Sequence, residues 1–448
     1  MRYLALKIIA VFCVLVASLF GWKWHTWFGN PTENKYITSC IPNRVMLSLG
    51  EDADCDRSIS WRCNLNNPKG WTKLVELSTN DTIYKETVGK IVKSEGGKST
   101  FHRANFKNLR YGKYRYQIGT KDRASRWREF FVNKVDNAFS FLYMGDIQDE
   151  INGVSDTIFN HINNKYPDLD FWMFAGDMVE RPLDMYWNEF ISSGKGIFDR
   201  KPIIACTGNH EYHKGIFKKL DKRWVHYWPL PKNGPCLFKG RVCHWEIENA
   251  CIISLDTDGI QGIGTYFSQY YWAKRILNKT TKPWKIVFLH HPLKSAGKGR
   301  STIIMRTLFK DMLAECGVDV VLQGHDHSYS RYTTKEDGVQ KSPVYVVSSC
   351  SRKAYDIAID NEADRLASKT KLYQLINVTK NKLTYNSYCL NDELYDSFSL
   401  VRNDNLKSFV EEKPDTKEIL EPTYRLHRKK NKDKLEEYME EVNERQSK

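Results

Sequence analysis

The chain has 448 residues, 41% hydrophobic, 13% aromatic and 27% charged, with a formal net charge of +14. That length calls for two or three domains rather than one small core. The apolar content excludes a largely disordered chain or a collagen-like fibre. The positive balance suits a phosphate-bearing partner, although a plain basic surface explains it as readily.

Arg2 and Lys7 flank the start of an apolar run from Ile8 to Phe20, and Trp22, Trp24 and Trp27 follow. A short positive region before an apolar stretch reads as a signal peptide or signal anchor. The tryptophans suit a membrane-interface belt. Residues 1–35 are therefore expected to be a leader plus linker. The protein would be exported: periplasmic, extracellular, or membrane-anchored and facing outward. Residues 36–135 carry short alternating or aromatic runs at Val45–Leu49, Ser58–Arg62, Tyr114–Ile118 and Arg128–Val132, with Gly, Asn, Asp and Lys turns between them. Such strands predict a fibronectin-III-like β-sandwich.

From residue 136 to 403 the pattern becomes strand, loop, helix. Phe139–Met144 is a continuous apolar run, and Ile158, Phe159, Ile162 and Tyr166 recur at helical spacing before Phe171–Ala175. Further apolar runs at Pro202–Cys206, Ala250–Leu255, Trp284–Leu289 and Val318–Leu322 predict strands buried on both faces. Strands at Val344–Ser348, Leu372–Val378 and Lys382–Tyr388 are expected to close a second sheet. Residues 404–448 read as a charged tail ending in a frayed surface helix. Ten cysteines remain if Cys13 in the leader is set aside. Cys236 and Cys243 bracket a turn-rich segment whose spacing would allow a bridge, and Cys55 with Cys63 is a weaker pair. No CxxC or zinc-knuckle spacing occurs.

Five motifs stand directly after five of the apolar runs: Gly145-Asp146-Ile147-Gln148, Gly176-Asp177-Met178-Val179-Glu180, Gly208-Asn209-His210-Glu211, His290-His291-Pro292 and Gly324-His325-Asp326-His327. Residues at the carboxyl ends of strands in one α/β unit converge on a shared crevice. Carboxylate, amide oxygen and imidazole without thiolate suit Fe, Mn or Zn.

This set resembles the calcineurin-like metallophosphoesterases, and within them the purple acid phosphatases. The resemblance covers residues 42–400 and implies a four-layer (αββα) catalytic domain. It implies two divalent, or divalent and trivalent, metal ions. Asp146, Asp177 and His327 would hold the first; Asp177 would bridge to the second, which Asn209, His290 and His325 complete. A metal-activated hydroxide would attack a phosphate ester, most simply a monoester, in line. His210 would protonate the leaving oxygen, with Glu211 orienting it. Where the family has a tyrosine ligand, which gives the ferric enzymes their colour, this chain has Glu180. Either Glu180 or Gln148 would fill that place. Lys298 and Arg300 are candidates for phosphate contact. A phosphodiesterase or nuclease with the same centre is the enzymatic alternative, although no specific nucleic acid is expected. A surface binding module with a decayed site is the alternative of another class.

Overall fold

The computed structural model describes residues 2–133, 138–259, 263–298, 303–403, 406–412 and 414–447. The N-terminal helix α1 (Arg2–Phe28) includes the segment Lys7–Phe28, which lies unburied and is long and apolar enough to cross a membrane. Eight antiparallel strands follow: β1 (Asn43–Leu49), β2 (Arg57–Cys63), β3 (Lys69–Glu76), β4 (Thr82–Val88), β5 (Lys90–Lys93), β6 (Lys98–Phe106), β7 (Gly112–Thr120) and β8 (Arg128–Val132). They form two four-stranded sheets in the orders β1-β2-β6-β5 and β4-β3-β7-β8. Alternate side chains turn inward, and Leu47, Ile59, Trp61, Leu74, Tyr116 and Ile118 make the sandwich core.

The second part begins with β9 (Ala138–Met144), α2 (Ser155–Lys165), β10 (Phe171–Ala175), α3 (Asp184–Ser193), β11 (Ile203–Cys206), the hairpin β12 (Tyr212–His213) and β13 (Lys219–Leu220), and α4 (Trp224–Tyr227). It continues through β14 (Cys243–Ile247), β15 (Ala250–Ser254), α5 (Ile263–Lys279), β16 (Trp284–Leu289), α6 (Ile303–Glu315), β17 (Val320–Gln323), β18 (Tyr329–Tyr332), β19 (Lys335–Glu336), β20 (Val339–Gln340), β21 (Val344–Val347) and β22 (Arg365–Ala367). Last come β23 (Leu372–Thr379), β24 (Lys382–Cys389), β25 (Leu394–Asn403), β26 (Leu406–Glu411) and α7 (Lys432–Gln446).

One sheet runs β11-β10-β9-β23-β24-β25-β26-β20-β19 and the other β14-β15-β16-β17-β21-β18-β22. In β16 the alternation is direct. Trp284, Ile286 and Phe288 enter the core between the sheets, whereas Val287 and Leu289 face the second core with Trp272 of α5 and Phe309 of α6. On the other side Ile158, Phe159 and Ile162 of α2 and Trp187 and Phe190 of α3 join the core of the first sheet. Both sheets are thus covered on both faces, as mixed α/β sheets of this size require.

Three sequence expectations change. The late strands do not close one separate sheet: β21 pairs in parallel with β17, whereas β23 pairs antiparallel with β9. The segment after 403 is not all solvated, because β26 pairs along β25 and α7 buries Tyr438 and Val442. Arg445 locks α7 down through Glu418 at 2.7 Å and the carbonyls of Asp360 and Ala363. No disulfide links Cys236 to Cys243, or Cys55 to Cys63, since all eleven cysteines are free. Cys236 faces solvent in a turn, whereas Cys243 points inward from β14 and donates to the Pro231 carbonyl.

Candidate metal centre

Asp146, Asp177 and Asn209 follow β9, β10 and β11, while His290 and the His325/His327 pair follow β16 and β17. Those strands are parallel within each sheet, so their carboxyl ends lie along one edge. Two donor groups result, Asp177 with His290 and His325, and Asp146 with Asp177 and His327. Within each group the ligand atoms lie within 4.8 Å of one another, and Asp177 belongs to both.

The backbone is bent to make this possible. Asp146, Asp177, His325 and His327 have φ of 49°, 52°, 76° and 47°. Such left-handed conformations cost about 1 kcal/mol or more each outside glycine, and here they collect at one spot. Glycines provide the clearance: a Cβ on Gly208 would lie 2.3 Å from Asp177 Oδ1, and one on Gly176 2.7 Å from His290 Nδ1.

Each donor is oriented from behind. His290 Nδ1 donates to the Ala175 carbonyl at 2.9 Å, which aims Nε2 inward. That Nε2 lies 3.2 Å from both Asp177 Oδ2 and Asn209 Oδ1, and 3.3 Å from His325 Nδ1. The His325 N–H donates to Asp146 Oδ2 at 2.8 Å, and the His210 N–H to Asp177 Oδ1 at 2.8 Å. The Gln148 amide stands 3.4 Å from His327 Nε2, and its buried Oε1 has no hydrogen-bond partner among the described residues.

Burial pushes the Asp146 carboxyl well above its ordinary range, with Asp177 adding to it against His290. Asp177 goes the other way, because His290 and His210 outweigh its burial. Burial is likewise overcome at His290, which Asp177 raises to about 10. Buried carboxylates this close are held together only by protons or by cations. The donor set of carboxylate, imidazole and amide oxygen, with one orphaned amide oxygen, fits a pair of metal ions.

His210 places its imidazole beside this cluster. Its Nδ1 donates to the Glu180 carbonyl at 2.7 Å, and its Nε2 lies 3.8 Å from Asp177 Oδ2. Glu211 does not orient it, contrary to the sequence expectation. That carboxylate is fully buried and accepts the backbone N–H groups of Gly208, Asp177, Met178 and Val179 at 2.7–3.3 Å. It thereby fastens the loop after β10 to the loop after β11. Both Glu180 oxygens are taken by Lys353 Nζ, at 2.8 and 2.6 Å. Lys298 is exposed and lies over the Tyr438 ring of α7, and Arg300 falls outside the described residues. Sequence reasoning missed Lys353 and Tyr355, whose ring packs on His327 with centroids 4.5 Å apart. They sit in the loop after β21, and no motif marks them.

Residues 139–329 match the family profile of calcineurin-like phosphoesterases. Purple acid phosphatase 22 of Arabidopsis thaliana is 26% identical over 191 residues, covering 39% of this chain and 41% of that protein. Purple acid phosphatase 1 of Ipomoea batatas is 26% identical over 315 residues, covering 65% of this chain and 64% of its own. These alignments span less than two thirds of either relative. The structure of a purple acid phosphatase from yellow lupin (Lupinus luteus) seeds superposes with a TM-score of 0.67 at 15% identity, over 81% of this chain and 75% of that one. The family match over residues 139–329 and the common fold relate this chain to the calcineurin-like metallophosphoesterases and, among them, to the purple acid phosphatases, with a β-sandwich ahead of the matched part.

Proposed function

We propose that the protein is an exported dinuclear-metal phosphohydrolase acting chiefly on phosphate monoesters. The observation that carries this reading is Asp177, shared by two largely buried donor groups whose members all leave parallel strand ends. Asp146, Asp177, His327 and Gln148 would hold one ion, and Asp177, Asn209, His290 and His325 the other. Glu180 is left out of the set because Lys353 neutralises it. Such a pair, when bound, supplies Lewis acidity to a phosphoryl oxygen and lowers the pKa of water near neutrality.

The chain's own residues supply the rest. The Ala175 carbonyl fixes the His290 tautomer, and the His210 amide fixes the rotation of Asp177. His210, its Nδ1–H held by the Glu180 carbonyl, would act in its imidazolium form, giving the proton on Nε2 to the leaving oxygen and ending as the neutral Nδ1–H tautomer. An alkoxide or phenoxide leaving a phosphate ester needs that proton.

Metal content and substrate preference test the reading together. Wild type is expected to bind two transition-metal ions and to turn over aryl phosphate faster than bis-aryl phosphate or single-stranded DNA. Asp177→Asn should lose both ions and activity. Protein without bound metal would point to a binding module, and faster diester cleavage to a phosphodiesterase.

A further inference from the structure

Between β12 and β13 the chain turns through Lys214-Gly215-Ile216-Phe217-Lys218, where Ile216 and Phe217 are 67% and 66% exposed. Two adjacent large apolar side chains on a turn forgo about 1.5–3 kcal/mol each of burial. Lys214, Lys219 and Lys222 are exposed around them, and Lys218 pairs with Asp258.

This turn is fastened to the chain as it leaves α1. The Asn30 side-chain amide donates to the Lys214 carbonyl at 2.9 Å, and the Lys214 N–H donates back to Asn30 Oδ1 at 2.7 Å. Gly29 alone separates Asn30 from Phe28, the last residue of α1. Just beyond, buried Glu33 accepts from Arg223, from Gly96 of the sandwich and from Asp184 of α3. The exit from the helix is therefore rigidly joined to both parts of the molecule. Trp22, Trp24 and Trp27 are exposed at that same end of α1.

Charge follows the same geometry. A cleft of about 490 Å³ beside Asn30 is lined by Lys93, Lys219 and Lys222. Of its carboxylates, Glu33 and Asp221 are bound to Arg223, which leaves Glu95 exposed.

We propose that α1 is retained as a membrane anchor and that the Ile216–Phe217 turn is a second membrane contact, entering the interface of an anionic bilayer beside the helix end. Apolar tip residues partition into the headgroup boundary, and each nearby lysine adds about 1 kcal/mol of attraction to anionic lipid. His210 lies seven residues before Phe217, so the candidate metal centre is held within about 25 Å of the lipid surface.

The full chain in nanodiscs, of phosphatidylcholine alone or with about one third phosphatidylserine, tests this against detergent-solubilised protein. Amide hydrogen exchange at 214–219 is expected to slow at least about tenfold in the anionic discs and less in the neutral ones. Ile216→Asp with Phe217→Asp should abolish that protection while hydrolysis of a soluble aryl phosphate in detergent is unchanged. Equal exchange in detergent and anionic discs would overturn the proposal. So would a mature chain from membranes that begins beyond Phe28. Protection already present in detergent that grows with protein concentration would assign the tip to a second copy of the chain and overturn it likewise.

Discussion

Replacing His210 by alanine separates proton transfer from metal binding at a single residue. The backbone N–H of His210 donates to Asp177 Oδ1 at 2.8 Å, and alanine keeps that bond. Asp177 stays oriented, so metal content should match wild type. The imidazole is lost, and with it a proton-transfer group beside Asp177 whose Nδ1 is already committed, at 2.7 Å, to a carbonyl. Losing a positioned general acid costs about 10²–10⁴-fold in kcat, or about 3–5 kcal/mol. Stability should change little, because the ring is only part-buried and the freed Glu180 carbonyl stays open to water, a loss of about 1 kcal/mol. The assay is kcat/KM over a series from nitrophenyl to phenyl to alkyl phosphates, with metal analysis of each sample. The defect should be large for alkyl phosphates and shrink for nitrophenyl phosphates, which depart without a proton. An equal loss across the series would refute the proton-donor role, and loss of metal would refute the separation of the two functions.

Glu211→Ala removes the acceptor of four backbone N–H groups at the junction of two ligand loops. Orphaned buried donors cost about 1–3 kcal/mol each, so thermal unfolding should show a loss of at least about 3 kcal/mol, with metal content falling too. Iron-loaded wild type is expected to lack the intense visible band of a ferric phenolate, because Glu180 stands where the resemblance calls for a tyrosine ligand and is itself paired with Lys353. If a band appears, its loss in Tyr355→Phe would assign it to the ring against His327 and contradict the ligand set given above. Burial holds His226 down to about 4 and lowers buried His102, both beside the sandwich strand β6 or on it. A folded-state pKa below the unfolded 6.5 means stability complete above pH 6.5 and lost as pH falls through it, by about 2 kcal/mol at pH 5 for His226. Unfolding temperatures from pH 7 to 5 should fall less steeply in His226→Gln than in wild type; parallel slopes would contradict the burial argument.

The five motifs were legible in the sequence because each follows an apolar run. A strand buried on both faces has to be continuous in apolar residues, and in a parallel sheet its carboxyl end must open on the same edge as its neighbours. Asp146, Asp177, Asn209, His290, His325 and His327 therefore meet with no further information than strand order. The sandwich was legible for a related reason, since period-two alternation leaves few other ways to bury one face. Side-chain partners distant along the chain were not legible. Glu180 reads as a possible ligand until the loop after β21 brings Lys353 against it. Glu211 reads as a partner of its neighbour His210 until the turn at Asn209 points it inward to four backbone amides. Strand sequences alone do not say which sheet β21 and β23 join, because apolar alternation specifies a buried face and not its neighbour. The charged stretch from 404 hides Tyr438 and Val442, two apolar residues one helical turn apart, which become core only once a surface exists to receive them. Sequence fixes what is local and periodic; tertiary structure decides which distant charge, carbonyl or ring stands opposite each group, because those pairings depend on loop paths that no single segment encodes.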